Sequence, residues 1–294
     1  MHPELFTFGR FTLYSYGLAL AIGFAAGILM SAWRAPRSGI PSDRIYDAAL
    51  PVLLCGLAGA KLMYLGVHYE DIVADPGSIT GLIRGGFVFY GSLIGGTAGA
   101  LVWLKRAGIS PLAFGDAIAP GLALAQGIGR IGCWMNGCCY GSPVSWGWSL
   151  PCLVDGVPRH PVQLYEAGGT FAICALLLAI GPGRVRPASP ERDLAPSGRA
   201  RAAAGDSVAG PDASASGAGA AVAPSLPAHG RLLGAYLVLY SVLRFATEVF
   251  RDDPRGGRLA GLSVSQSLSI VGLVAGAAVI WWAVKHARQE EAKP

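Results

Sequence analysis

Long apolar runs separated by short polar stretches dominate the chain, and a run of about 20 apolar residues coiled as helix crosses the hydrocarbon core of a bilayer. Seven such runs are predicted to be membrane helices: Phe11–Trp33, Ala48–Tyr69, Gly85–Leu104, Leu112–Met135, Ala167–Gly183, Leu232–Phe250 and Leu259–Val284. No Asp, Glu, Lys or Arg interrupts the first run between Arg10 and Arg34. Neither a basic leader nor an A-x-A site flanks it, so it reads as a span and not as a cleaved signal peptide. The expected fold is an all-α polytopic membrane protein.

The segments between the runs set the expected topology. Basic residues follow the first run (Arg34, Arg37, Arg44), the third (Lys105, Arg106), the fifth (Arg184 to Arg231) and the seventh (Lys285, Arg288, Lys293). The loop after the second run carries Glu70, Asp71 and Asp75 instead. Cytoplasmic loops are the basic ones, which puts the N-terminus outside and the C-terminus in the cytoplasm. The segment Arg251 to Arg258 runs against this bias. Residues 184–229, rich in Ala, Gly, Ser and Pro and without periodicity, are expected to be a disordered cytoplasmic linker. It divides a membrane domain of residues 1–183 from a second membrane segment of residues 230–294, which holds the last two spans and a short tail. Residues 138–159, with Trp146, Trp148 and several Gly and Pro, are expected to form a small periplasmic cap between spans four and five.

Composition agrees with this reading. Of 294 residues, 52% are hydrophobic and only 14% charged, against about 25% charged in an average soluble domain. Mean hydropathy is +0.46. The net charge of +5 lies in short inter-helix loops, so nucleic acid is not an expected partner. Six cysteines in so long a chain do not make a disulfide scaffold.

Candidate chemistry sits where ionisable side chains interrupt apolar runs, because such residues are costly there and mark sites or pathways. Lys61 lies within the second run, and Arg130 ends the fourth among glycines. The fifth opens with Arg159-His160-Pro161-Val162-Gln163-Leu164-Tyr165-Glu166. The sixth carries Tyr240, Arg244 and Glu248 at i, i+4 and i+8, with Arg251 beyond, which puts a phenol, a guanidinium and a carboxylate on one helix face. A structural Arg244–Glu248 pair would account for that stripe alone. A second guanidinium at the outer end of another span favours an anion between them, and Arg grips phosphate bidentately. A metal site built from His160, Glu166 and the cysteines lacks regular ligand spacing, and no metal is expected.

Taken in order, these residues resemble the prolipoprotein diacylglyceryl transferases. The supporting motifs are Tyr16-Gly17, Gly85-Gly86-Phe87-Val88-Phe89-Tyr90-Gly91-Ser92-Leu93-Ile94-Gly95-Gly96, and Gly129 through Gly141. His160-Pro161 with Gln163-Leu164-Tyr165-Glu166 follows, then Tyr240, Arg244, Phe245, Glu248 and Arg251, then Gly261-Leu262-Ser263 with Gln266. The resemblance implies transfer of the diacylglyceryl group of phosphatidylglycerol to the lipobox cysteine thiol of preprolipoproteins, releasing glycerol phosphate, at the bacterial inner membrane and without a cofactor. It implies that Arg130 and Arg244 hold the phosphate, that Tyr16 and Tyr240 position the headgroup and that Glu248 orients Arg244. Gly141 would keep the cap close to the cavity. Lys61, Asn136, Glu166 and Arg251 join the expected substrate contacts.

Three positions depart from the family. Its signature around Arg130 reads G-R-x-G-N-F-x-N-x-E-x-x-G, whereas Cys133 replaces the first Asn and Cys138 the Glu; Asn136 and Gly141 match. Tyr90 stands where the family has the His that is its candidate general base. Unperturbed phenol titrates near pH 10 and is a poor base at neutrality. Tyr90 stays a catalytic candidate in place of the family's His. The alternative proton acceptors are His160, Glu166 and Glu248, with His160 favoured because imidazole titrates near neutrality. Two other readings stay open: a paralogue serving a different acceptor, and a non-catalytic lipid-binding or thiol-active membrane protein using Cys133, Cys138, Cys139 and Cys152.

Overall fold

The computed structural model describes residues 3–9, 11–74, 85–144, 157–181, 229–252, 258–259 and 261–291. Strands β1 (Glu4–Phe8) and β2 (Phe11–Tyr14) pair antiparallel, Glu4 opposite Tyr14 and Phe8 opposite Phe11. Then come α1 (Ser15–Arg34), a 3₁₀ turn at Ala35–Ser38, α2 (Ser42–Val67), the short α3 (Tyr69–Ala74), α4 (Phe89–Ala107), α5 (Pro111–Asn136), α6 (Val162–Ile180) and α7 (Arg231–Glu248). A hairpin of β3 (Arg258–Leu259) and β4 (Leu262–Ser263) leads into α8 (Val264–Glu291).

Each predicted run falls on a long helix, but several boundaries move. Residues 11–14 of the first run form β2, because the aromatic and β-branched stretch Phe11-Thr12-Leu13-Tyr14 finds a partner strand in β1. Helix α6 begins at Val162, earlier than expected, because Pro161 takes the cap position, where its missing N–H costs nothing. The last run turns helical only at Val264, after the β3–β4 hairpin. Among the described residues, five helices are long and apolar enough to cross a membrane: α1 with its 3₁₀ extension, α2, α5, α6 and α8. Of the other two, α4 is diluted by four glycines and ends in Lys105-Arg106, and α7 contains Arg231, Arg244 and Glu248.

The distribution of polarity is that of a protein dissolved in lipid. Leu20, Ile22, Phe24 and Leu29 of α1 point outward, as do Ile270, Val271 and Val274 of α8. Ser31, Gln163, Glu166, Thr170, Ser241, Arg244 and Thr247 are buried. With no hydrophobic driving force between helices in lipid, association rests on close packing through small residues and on polar contacts. Helix α1 lies against α5 through Gly23 and Gly27, where a Cβ would come within 3.0 Å of the Ala125 and Gly121 carbonyl oxygens respectively. Helices α2 and α4 meet in the same way at Gly59, Gly91 and Gly95, and α7 meets α8 at Gly234 and Gly276.

The start of α7 is fixed by a buried carboxylate on α5. Asp116 accepts the Gly230 N–H at 2.7 Å and the Leu233 N–H at 2.8 Å, satisfying two donors that a helix N-terminus otherwise leaves open. Farther along, Ala119, Ala123, Ile173, Leu177 and Tyr236 form an apolar core shared by α5, α6 and α7. That core aligns the three helices whose far ends build the site. The expected linker at 184–229 lies outside the described residues except for His229, as do Trp146, Trp148 and Cys152 of the expected cap.

Candidate active site

Three guanidinium groups converge on one carboxylate. Glu166, on the first turns of α6, is 1% exposed. Its Oε1 accepts from Arg244 and Arg251, each at 2.9 Å, and from the Thr247 hydroxyl at 3.3 Å. Its Oε2 pairs with Nε of Arg130 from α5. Gln163, Glu166 and Thr170 recur at i, i+3 and i+7 and are all buried, so they form the inner stripe of α6. Arg244 and Thr247 form the facing stripe of α7.

Arg244 is the most engaged of the three. Besides Glu166 it reaches Glu248 at 2.8 Å, one turn along its own helix, and the Ser265 hydroxyl of α8 at 2.8 Å. Glu248 in turn accepts from the Ser263 hydroxyl at 2.8 Å. The cluster therefore ties α5, α6, α7 and the start of α8 together, with three cations against two carboxylates. Such a group is tolerable away from water only because nearly every charge meets an opposite one. Arg130 is the exception in geometry: it touches Glu166 through Nε, and among the described residues its two terminal nitrogens are left for a further partner.

The anion between the two expected arginines is thus the protein's own Glu166. Tyr240 stacks on Tyr236, centroids 5.8 Å apart and planes 10° from parallel, and lies within electrostatic range of Arg130. Tyr16, at the start of α1, packs against Gly132 and lies within electrostatic range of Arg130, Cys133, Cys138 and Cys139. Gly141 is buried, and a Cβ there would lie 2.7 Å from both His160 Cβ and Val162 Cγ2. It also bridges to Arg251 and donates its N–H to the His160 carbonyl, so the residues after α5 are laced to those before α6 and after α7. Pro143 pairs with Arg159 in the same lacing, which forms the described base of the expected cap.

Other expected residues lie apart from this cluster. Lys61 donates to the carbonyls of Gly85 and Gly86 at 3.1 and 3.0 Å and lies 4.4 Å from the Phe87 ring centroid, so it holds the segment leading into α4. Tyr90, on α4, packs its ring edge-on to Phe89; among the described residues it has no contact with the arginines. His160 places Nδ1 3.3 Å from the Tyr165 hydroxyl and its ring 5.3 Å from that of Phe250. Asn136 ends α5 exposed.

Thr247 and Ser265 join the site without being singled out by sequence. Thr247 could have been found, since it lies three residues beyond Arg244 on the same helical face. Ser265 carries no such signal. The sulfurs of Cys133, Cys138 and Cys139 all lie within 4.8 Å of one another, and Cys133 and Cys139 are within electrostatic range of Arg130.

Comparison with known proteins agrees with this architecture. The chain matches the family model described as prolipoprotein diacylglyceryl transferase over residues 3–191 and 220–282. It is 29% identical to phosphatidylglycerol–prolipoprotein diacylglyceryl transferase 2 of Clostridium perfringens over 269 residues, covering 90% of this chain and 88% of that one. It is 28% identical to the phosphatidylglycerol–prolipoprotein diacylglyceryl transferase of Clostridium tetani over 281 residues, covering 94% and 95% of the two chains. The similarly named protein of Halalkalibacterium halodurans is 28% identical over 286 residues, covering 93% and 83%. Both matched blocks of the family model contain arginines of the cluster, and together they take in most of the chain, which belongs to the prolipoprotein diacylglyceryl transferase family.

Proposed function

We propose that this protein transfers the diacylglyceryl group of phosphatidylglycerol to the lipobox cysteine thiol of preprolipoproteins. The observation that carries the proposal is the convergence of Arg130, Arg244 and Arg251 on Glu166, with Arg130 engaged through Nε and its side chain still 20% exposed. An accessible guanidinium edge in such a cluster suits one phosphodiester anion. Among lipid headgroups of net negative charge, phosphatidylglycerol supplies a single phosphodiester that can leave as glycerol phosphate.

In this reading the terminal nitrogens of Arg130 grip the phosphate, and Glu166 keeps all three guanidiniums aimed at it. Arg244, fixed by Glu166, Glu248 and Ser265, presents a preorganised positive charge to the leaving oxygen. Charge stabilisation that is already in place at the moment of reaction is the largest single catalytic term in many enzymes. Tyr16 and Tyr240 bound the headgroup. The acceptor thiol must lose its proton to be nucleophilic, and His160, at the mouth of α6, takes it. Seven spans are proposed, α4 and α7 included, in the cell's inner membrane, with the N-terminus outside, the site near the outer surface and residues 184–229 as a cytoplasmic linker.

The test is transfer in vitro. Purified protein, phosphatidylglycerol vesicles and a lipobox peptide should yield a peptide heavier by one diacylglyceryl unit, with glycerol phosphate released. An unmodified peptide under conditions where the lipid binds overturns the reading.

A further inference from the structure

Cys138 and Cys139 place their sulfurs 3.8 Å apart, and Cys133 completes a triangle with no side longer than 4.8 Å. Zinc–sulfur bonds of about 2.3 Å at tetrahedral angles space the sulfurs by about 3.8 Å. The Cys138–Cys139 pair therefore already stands at the edge length of a zinc–thiolate tetrahedron.

The backbone is shaped to hold this triangle. Helix α5 ends at Gly137 with φ of 75°, and Cys139 itself has φ of 63°. That left-handed region is unfavourable for a residue with a Cβ. The Cys138 carbonyl accepts from Gln163 Nε2 at 2.6 Å, fastening the loop to α6. A disulfide within the adjacent pair is disfavoured, because consecutive Cα atoms stand about 3.8 Å apart, shorter than disulfides usually span.

We propose that Cys133, Cys138 and Cys139 are the three protein ligands of a zinc ion whose fourth position takes the acceptor cysteine thiol. This rests on the transfer reading above. Three protein ligands and one open position is the arrangement of catalytic zinc. A thiol that coordinates the metal is deprotonated outright, and its proton leaves to His160. The bound sulfur then forms an S–C bond to the glyceryl carbon while the C–O bond to phosphate breaks. The electron pair of that bond departs on the oxygen of glycerol phosphate, held by Arg130 and Arg244, and zinc is neither oxidised nor reduced. Arg130 precedes Cys133 by three residues on α5 and lies within electrostatic range of Cys133 and Cys139, which brings nucleophile and phosphate to the same end of that helix. The same chain that has Tyr90 in place of the family's candidate base has cysteines in place of its Asn and Glu, and one metal accounts for both departures.

Full-length protein in detergent tests this by zinc analysis, cobalt substitution and the transfer assay. We expect about one zinc per chain, lost in Cys138→Ser and Cys139→Ser and kept in Cys55→Ser. The cobalt form should show sulfur-to-metal charge transfer and tetrahedral d–d bands that shift with a lipobox peptide but not with its Cys→Ser version. Chelation should slow transfer by about 100-fold, and added zinc should restore it. Transfer at full rate by metal-free protein overturns the site and leaves the proposed activity standing. A cobalt spectrum indifferent to the cysteine peptide overturns the open-position role, and a disulfide between any two of the three cysteines in native membranes overturns the site. A peptide-responsive spectrum without any transfer supports the site and sinks the transferase reading instead.

Discussion

Arg130 and Glu166 meet across α5 and α6, Nε against Oε2, with the guanidinium side chain 20% exposed and the carboxylate side chain 1%. The carboxylate is sealed in while the arginine keeps an accessible edge. One ion pair thus joins the interior of the helix bundle to the surface at which the substrate phosphate is proposed to dock, and each partner has a different consequence when removed.

Glu166→Ala should unfold the site. Arg130, Arg244 and Arg251 would face one another without their common counter-ion, and breaking a buried pair costs about 3–5 kcal/mol. A large drop in the melting temperature in detergent is expected, larger than that of Glu248→Ala, which leaves Glu166 in place.

Arg130→Lys should separate stability from activity. An ammonium can satisfy Glu166 but cannot add a planar two-pronged grip on phosphate. We expect nearly unchanged melting and transfer lowered by about 100-fold. Arg244→Lys should lose both, since Glu166, Glu248 and Ser265 are held by two separate prongs of one guanidinium. Near-normal turnover by Arg244→Lys would count against a charge preorganised by that fork.

Gly141→Ala should damage the protein far more than Gly129→Ala. At Gly141 the new methyl meets His160 and Val162 at 2.7 Å, whereas at Gly129 the nearest atom, Leu20 Cδ2, is 3.9 Å away. Overpacking of this kind costs about 1–3 kcal/mol, and paired melting curves read it directly.

His160→Gln should lower transfer by about two to four orders of magnitude while phosphatidylglycerol binding survives. Tyr90→Phe should be mild, since Tyr90 lies apart from the arginines. The reverse ranking would hand the proton-accepting role to Tyr90.

Deleting residues 184–229 should leave insertion and transfer intact, because an arginine-bearing segment without apolar periodicity has no apolar face to offer the helices. Cleavage of that segment by protease added outside sealed cells would reverse the proposed orientation.

By itself, the sequence determined the helices and the actors. Apolar runs long enough to cross a bilayer admit little besides helix, since lipid offers no partner for an open backbone group. The cost of charge in those runs picked out Arg130, Glu166, Arg244 and Glu248 as residues with a purpose. Spacing within one helix also predicted that Glu248 would meet Arg244, because i and i+4 share a face. What the residues do to one another across helices was decided only by tertiary packing. Glu166 reads locally as one more polar residue at a helix start, and it becomes the hub only when α5 and α7 bring three guanidiniums to it. Lys61 reads like Arg130, yet pairing of α2 with α4 spends its charge on two backbone carbonyls. The cysteine triangle depends on a left-handed turn at Cys139, a residue with no intrinsic preference for that conformation. Local pattern records which face a side chain occupies; which groups share a few ångströms of space follows from how the helices cross.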